Sequence, residues 1–189
     1  MIITVTGKLG SGKTTLCRHF QRKGASVIDA DAAGKELLQR QDVRDKLAEA
    51  FGNRILNEDG SINKDKLAEL AFKSRTSLEK LNSIMHPLLR KELSKMAEKQ
   101  EGIVVIDAAL GNELGLHEIS DFVIVVSASD EAAASRLPPE KRQNLLRRRA
   151  FQQDSRGDFH IENNGSLEEF LKEGDKVWNE VVRNARTIR

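Results

Sequence analysis

Ile2-Ile3-Thr4-Val5-Thr6-Gly7-Lys8-Leu9-Gly10-Ser11-Gly12-Lys13-Thr14-Thr15 is the stretch whose reading decides the architecture of this chain. Residues 2–6 are an apolar, β-branched run of the kind found in strands covered on both faces. Residues 7–14 match the pattern G-x-x-x-x-G-K-[ST], and residues 14–22 carry a helical pattern directly after it. Glycines allow backbone amides to turn inward and approach phosphate oxygens closely, and the N-terminus of the following helix adds a favourable dipole. Strand, loop and helix in this order predict a phosphate cradle of the P-loop NTPase type. Gly7, Gly10, Ser11, Gly12, Lys13, Thr14 and Thr15 are the residues expected to hold an ATP tail. Lys13 is expected to bridge the β- and γ-phosphates during transfer, and the Thr14 hydroxyl to coordinate Mg²⁺.

Working outward, further strand-sized apolar runs lie at 26–29, 103–107 and 122–126, with a weaker one at 158–162. Helical patterns separate them, so the expected fold is α/β: a doubly wound, five-stranded parallel sheet with helices on both faces. Ligands in such sheets sit beyond the carboxyl ends of the strands, where Asp29, Asp31 and Asp107 fall. The gap at 32–101 exceeds what one crossover needs. It predicts a helical substrate lobe, with Leu67, Leu70, Ala71, Leu78, Leu81, Ile84, Met85, Leu88, Leu89 and Leu93 as buried faces. Pro87 is expected to start a new helix there, because proline is tolerated in a first turn and not in a helix interior. The whole of 1–189 is expected to be one kinase domain, with a small lid at about 137–153.

The pair in Val27-Ile28-Asp29-Ala30-Asp31 supplies carboxylates suited to a kinase acting on an alcohol. Asp31 is the candidate that orients the attacking hydroxyl and accepts its proton. Capping of the next helix by one of the two aspartates is the competing reading. Asp107 ends its apolar run as a candidate carboxylate for Mg²⁺, or as an ordinary strand-end residue. Lys141-Arg142 and Arg147-Arg148-Arg149 form the most basic stretch, and suit either a lid that closes over phosphates or a solvated helix face. Cys17 reads as a buried, inert thiol, and His86 as a packed or solvent-facing histidine.

Composition excludes several other classes. Among 189 residues, 31 Lys and Arg nearly balance 29 Asp and Glu, for a net charge of +2, which offers no footing for nucleic acid or a membrane surface. The lone cysteine fits a reducing compartment, so the cytoplasm is expected. No apolar run approaches a bilayer span of about 20 residues, and the first residues already read as fold and not as a leader. A guanine-nucleotide switch is disfavoured because Asn63-Lys64-Asp65-Lys66 has the wrong order for Asn-Lys-x-Asp.

Beyond the generic loop, one combination is more specific: Val27-Ile28-Asp29-Ala30-Asp31, Gly60 with Leu67, Leu81-Asn82, His86-Pro87, Asp107 with Glu113, and Asn163-Asn164-Gly165-Ser166. In this order along nearly the whole chain, it resembles dephospho-coenzyme A kinase. The resemblance implies phosphorylation of the ribose 3′-hydroxyl of dephospho-coenzyme A by MgATP. It also implies that Asp31 activates the acceptor, that Arg148, four residues before Gln152, is the lid arginine, and that Asn163 and Asn164 lie near adenine. A monomer or small homo-oligomer is expected, and the balanced charge argues against a nucleic-acid partner. The chain departs from the family pattern at Ala109-Leu110-Gly111-Asn112-Glu113, which keeps the acid but loses a proline and an aromatic residue, and at Lys8, where many members have glycine. A P-loop kinase for another small metabolite is the alternative.

Overall fold

The computed structural model describes residues 1–150, 152 and 154–187, with side chains to residue 184. Its elements in order are β1 (Ile2–Thr6), α1 (Lys13–Arg22), β2 (Ser26–Asp29), α2 (Ala30–Leu37), α3 (Gln41–Phe51), α4 (Lys64–Ala71), α5 (Arg75–Glu98), β3 (Val104–Asp107), β4 (Phe122–Ser127), α6 (Asp130–Ser135), α7 (Pro139–Ala150), β5 (Phe159–Glu162) and α8 (Leu167–Thr187). Of the expected lid, Phe151 and Gln153 lie outside the described residues. Among the described residues, no helix is long and apolar enough to cross a membrane.

The chain divides into two compact units, one made of Met1–Asp29 with Met96–Arg189 and the other of Ala30–Lys95. The first holds the five-stranded sheet, in the order β2-β3-β1-β4-β5 with every pairing parallel. This is the doubly wound arrangement expected from strands alternating with helices. Placing β1 centrally brings Gly7 to the point where strand order reverses, the crevice at which such sheets bind ligands. The runs of uninterrupted hydrophobicity have a direct structural cause: Ile3, Val5, Val105, Ile124 and Val126 are all 0% exposed. Leu16, Cys17 and Phe20 of α1 and Phe170, Trp178 and Val181 of α8 join the same core. The rings of Phe20 and Trp178 meet at 5.0 Å between centroids, tilted by 35°.

The second unit is helical and has its own core of Leu37, Val43, Leu47, Ile55, Ile62 and Leu67. Leu81, Ile84, Met85, Leu88 and Leu89 of α5 pack against it. Here the structure corrects a sequence expectation, because α5 runs through Pro87 and does not restart there. Proline inside a helix forfeits a backbone hydrogen bond and costs about 3 kcal/mol relative to alanine. Burial of an aliphatic side chain contributes about 1.5–3 kcal/mol when complete, so five apolar residues flanking Pro87 on one face outweigh it.

Pro87→Ala is therefore expected to stabilise the protein by about 1–2 kcal/mol, less than the full helix-interior penalty because the unfolded chain also gains freedom. Urea titration would show this as a higher midpoint with an unchanged slope.

Candidate active site

The phosphate loop is shaped by contacts at its two ends. Gly7 has φ 140°, and a Cβ placed there would lie 2.0 Å from the Val126 carbonyl oxygen, so the chain leaves β1 by passing directly against the end of β4. Gly12 caps α1 with φ 107°, and a Cβ on it would lie 2.3 Å from Asn163 Nδ2. Between them the Ser11 N–H donates to the Lys8 carbonyl at 3.1 Å, closing a turn. Since α1 starts at Lys13, its first amides have no carbonyl partner within the helix and carry the positive end of its dipole.

Lys13 is only 7% exposed, and its Nζ donates to the Lys8 carbonyl at 3.2 Å. Thr14 Oγ1 donates to Asp107 Oδ2 at 2.7 Å. Asp107 reaches this position as the last residue of β3, in register with Val5 on one side and Asp29 on the other. A hydroxyl and a carboxylate so placed are hard oxygen donors of the type that Mg²⁺ accepts alongside phosphate oxygens. Cys17 lies beneath this group at 1% exposure. Burial pushes its thiol well up, the Asp107 charge adds to the shift, and Lys13 opposes it.

The segment from β4 to β5 closes around the back of the loop. Arg149 is 3% exposed, and its guanidinium donates to Asp130 Oδ1 at 2.7 Å, to the Leu9 carbonyl at 2.5 Å and to the Ala128 carbonyl at 2.7 Å. Gln152 Oε1 accepts the Leu9 N–H at 2.7 Å. Arg136 donates to the Gly10 carbonyl at 3.4 Å and to both oxygens of Asn163. Asn163 Nδ2 donates to the Ser11 carbonyl at 2.8 Å. Asn164 Oδ1 accepts the Ser129 N–H at 2.7 Å, joining the end of β5 to the turn before α6. Lys8 forms an ion pair with Asp154 at 2.8 Å, but Asp154 is 94% exposed, so the pair contributes little.

The sheet unit thus gathers Gly7, Gly10, Ser11, Gly12, Lys13, Thr14, Asp107 and Asn163 around one loop. Asp31 belongs to the helical unit, exposed in the first turn of α2. Arg148 is exposed on α7, whereas its neighbour Arg149 is buried against the loop. Sequence reading missed Arg136, Arg149 and Gln152 as supports of the loop. Arg149 left a signal, since it lies four residues after the buried Leu145 and shares its helix face. Arg136 and Gln152 left none, because the loop groups they hold, at Gly10 and Leu9, are more than 120 residues away in the chain.

A parallel sheet in this order, with a glycine-rich loop feeding a helix that begins Lys-Thr, defines a phosphotransferase of the P-loop kinase class. The family model for dephospho-CoA kinase matches residues 1–169. The chain belongs to the dephospho-CoA kinase family. A dephospho-CoA kinase of Dehalococcoides mccartyi is 40% identical over 72% of this chain and 71% of its own length. That of Fusobacterium nucleatum is 30% identical over 93% of this chain and 96% of its own. Among solved structures, a Thermus thermophilus protein superposes with TM-score 0.77 at 25% identity, covering 97% of both chains. The dephospho-CoA kinase from Campylobacter jejuni shares the fold, with TM-score 0.65 at 22% identity over 97% of this chain and 98% of that one.

Two outcomes follow from the loop geometry. Gly12→Ala would drive a methyl into the Asn163 amide at a left-handed φ, so ATP binding measured by calorimetry should fall by at least about a hundredfold. Cys17, buried with its thiol held neutral, should react with a chromogenic disulfide only after denaturant unfolds the protein, which absorbance in native buffer and in guanidinium would show.

Proposed function

We propose that this chain transfers the γ-phosphoryl group of ATP to the ribose 3′-hydroxyl of dephospho-coenzyme A, giving ADP and coenzyme A. The observation that carries the reading is the family match over residues 1–169, which runs through the phosphate loop and the helical unit alike. ATP is the co-substrate of the family, and the loop is the element suited to its polyphosphate tail.

The roles of the residues follow from their chemistry. Amides of the loop and of the first turn of α1 bind the phosphate oxygens, and the buried Lys13 ammonium balances negative charge as the γ-phosphoryl moves. Asp31 accepts the proton of the attacking hydroxyl, so that oxygen bonds to phosphorus as the bond to the β-phosphate oxygen breaks. Thr14 and Asp107 would hold Mg²⁺, which when bound neutralises charge on the β- and γ-phosphate oxygens. Arg148, exposed on α7, is assigned the positive charge that closes on the phosphates, in contrast to Arg149, which is fixed on the Leu9 carbonyl. The reaction is soluble metabolism, and the cytoplasm is its setting.

The direct test is incubation of the purified protein with ATP, Mg²⁺ and dephospho-coenzyme A, with chromatography expected to show coenzyme A and ADP in equal amounts. Phosphorylation of a different alcohol in place of this one would overturn the substrate assignment. Lys13→Ala should lower turnover by about a hundredfold or more with the fold retained by circular dichroism. Asp31→Asn should lower kcat by about 10²–10⁴-fold while leaving the ATP dissociation constant within about twofold.

A further inference from the structure

Four consecutive carbonyls of the phosphate loop each accept a hydrogen bond from a side chain. Lys13 Nζ serves the Lys8 carbonyl at 3.2 Å, Arg149 that of Leu9 at 2.5 Å, Arg136 that of Gly10 at 3.4 Å and Asn163 that of Ser11 at 2.8 Å. In a planar trans peptide, the C=O and N–H of one unit point in opposite directions. Holding the Leu9 carbonyl outward therefore holds the Gly10 N–H inward, and holding the Ser11 carbonyl outward does the same for the Gly12 N–H.

Asn163 is the uncharged member of this set, and it lies against the last residues of the loop at the start of α1. It is 6% exposed, its Nδ2 engages the Ser11 carbonyl, and its Oδ1 accepts from Arg136 Nη2 at 3.0 Å. The donor on Oδ1 fixes which end of the amide faces the loop, and the same Arg136 Nη2 also donates to the Asn163 main-chain oxygen. The contact at Gly12 is so close that even one methyl would strike Nδ2.

The geometry points to Asn163, oriented by Arg136, as a positioning residue that keeps the phosphate loop in its anion-binding form before nucleotide arrives, acting on the backbone and not on the nucleotide base. The inference rests on the nucleotide-binding reading given above. Its consequence is that binding of the polyphosphate alone depends on Asn163, through the Ser11 carbonyl that its Nδ2 holds.

Calorimetric binding of inorganic tripolyphosphate and of ATP to wild type, Asn163→Asp and Arg136→Lys tests it. Asn163→Asp replaces the donor with an oxygen facing the Ser11 carbonyl, a buried mismatch expected to weaken both ligands by the same factor, about tenfold or more. Arg136→Lys loses the fork and should weaken both in parallel by a smaller factor. Hydrogen exchange should show faster exchange of the amides of residues 9–13 in each variant, with the strands unchanged. Weaker ATP binding with unchanged tripolyphosphate binding would overturn the inference by placing the contact on the base, and unchanged binding of both would overturn it by showing the contact to be idle. If Asn163→Asp does not fold by circular dichroism, Arg136→Lys decides on the same readouts. Failure of the wild type to bind either ligand would strike the nucleotide-binding reading itself, an outcome separate from these.

Discussion

Gripping phosphate with a backbone requires several consecutive amides to face a single point, and that constraint organises the sheet unit. Amides so turned leave their carbonyls facing protein, where each needs a donor. Lys13, Arg149, Arg136 and Asn163 meet that need from α1, α7, the end of α6 and the end of β5. The same requirement explains the glycines at the two ends: Gly7 passes against the Val126 carbonyl, and Gly12 against the Asn163 amide. An anion site made this way is formed by the fold itself, which reduces the ordering cost when nucleotide binds.

Charge is distributed around the loop in two kinds. Buried cations have fixed partners: Arg149 is held by Asp130 and two carbonyls, and Lys13 by the Lys8 carbonyl. The exposed Arg148 lies in solvent, where a long side chain keeps its freedom, and the half-buried Lys8 pairs with the solvated Asp154. A buried guanidinium with its donors committed to backbone acts as scaffold, whereas a solvated one retains the mobility that lid chemistry needs. The two aspartates of the β2–α2 junction divide in a comparable way. Asp29 ends a strand in register with Asp107, and Asp31, two residues on, opens the first turn of the helical unit.

Much of the fold was legible. The strands at Ile2–Thr6 and Ser26–Asp29 coincide with the apolar runs, and those at Val104–Asp107, Phe122–Ser127 and Phe159–Glu162 differ from expectation by one residue at one end. Uninterrupted β-branched runs have few structures open to them other than a buried parallel strand, so local composition sufficed. Pro87 misled because a local rule was applied where packing prevailed: a residue's own preference of about 3 kcal/mol is smaller than what a whole apolar helix face contributes. At the site, the loop residues were legible because their roles depend on backbone shape and on neighbours within eight positions. Arg136 and Gln152 were illegible because they act on carbonyls and amides, which every residue possesses and no sequence pattern marks.

The sequence by itself determined the class of chemistry, since Gly7 to Thr14 between a strand and a helix admits little besides phosphate binding. It also determined the family, through spaced residues that run the length of the chain. Tertiary structure alone decided which arginine of the Arg147-Arg148-Arg149 run is scaffold, what Asn163 touches, and that α5 continues through Pro87. The physical reason is range: propensity, turn geometry and helix dipoles act over a few residues, whereas hydrogen bonds and packing join groups that only folding brings together.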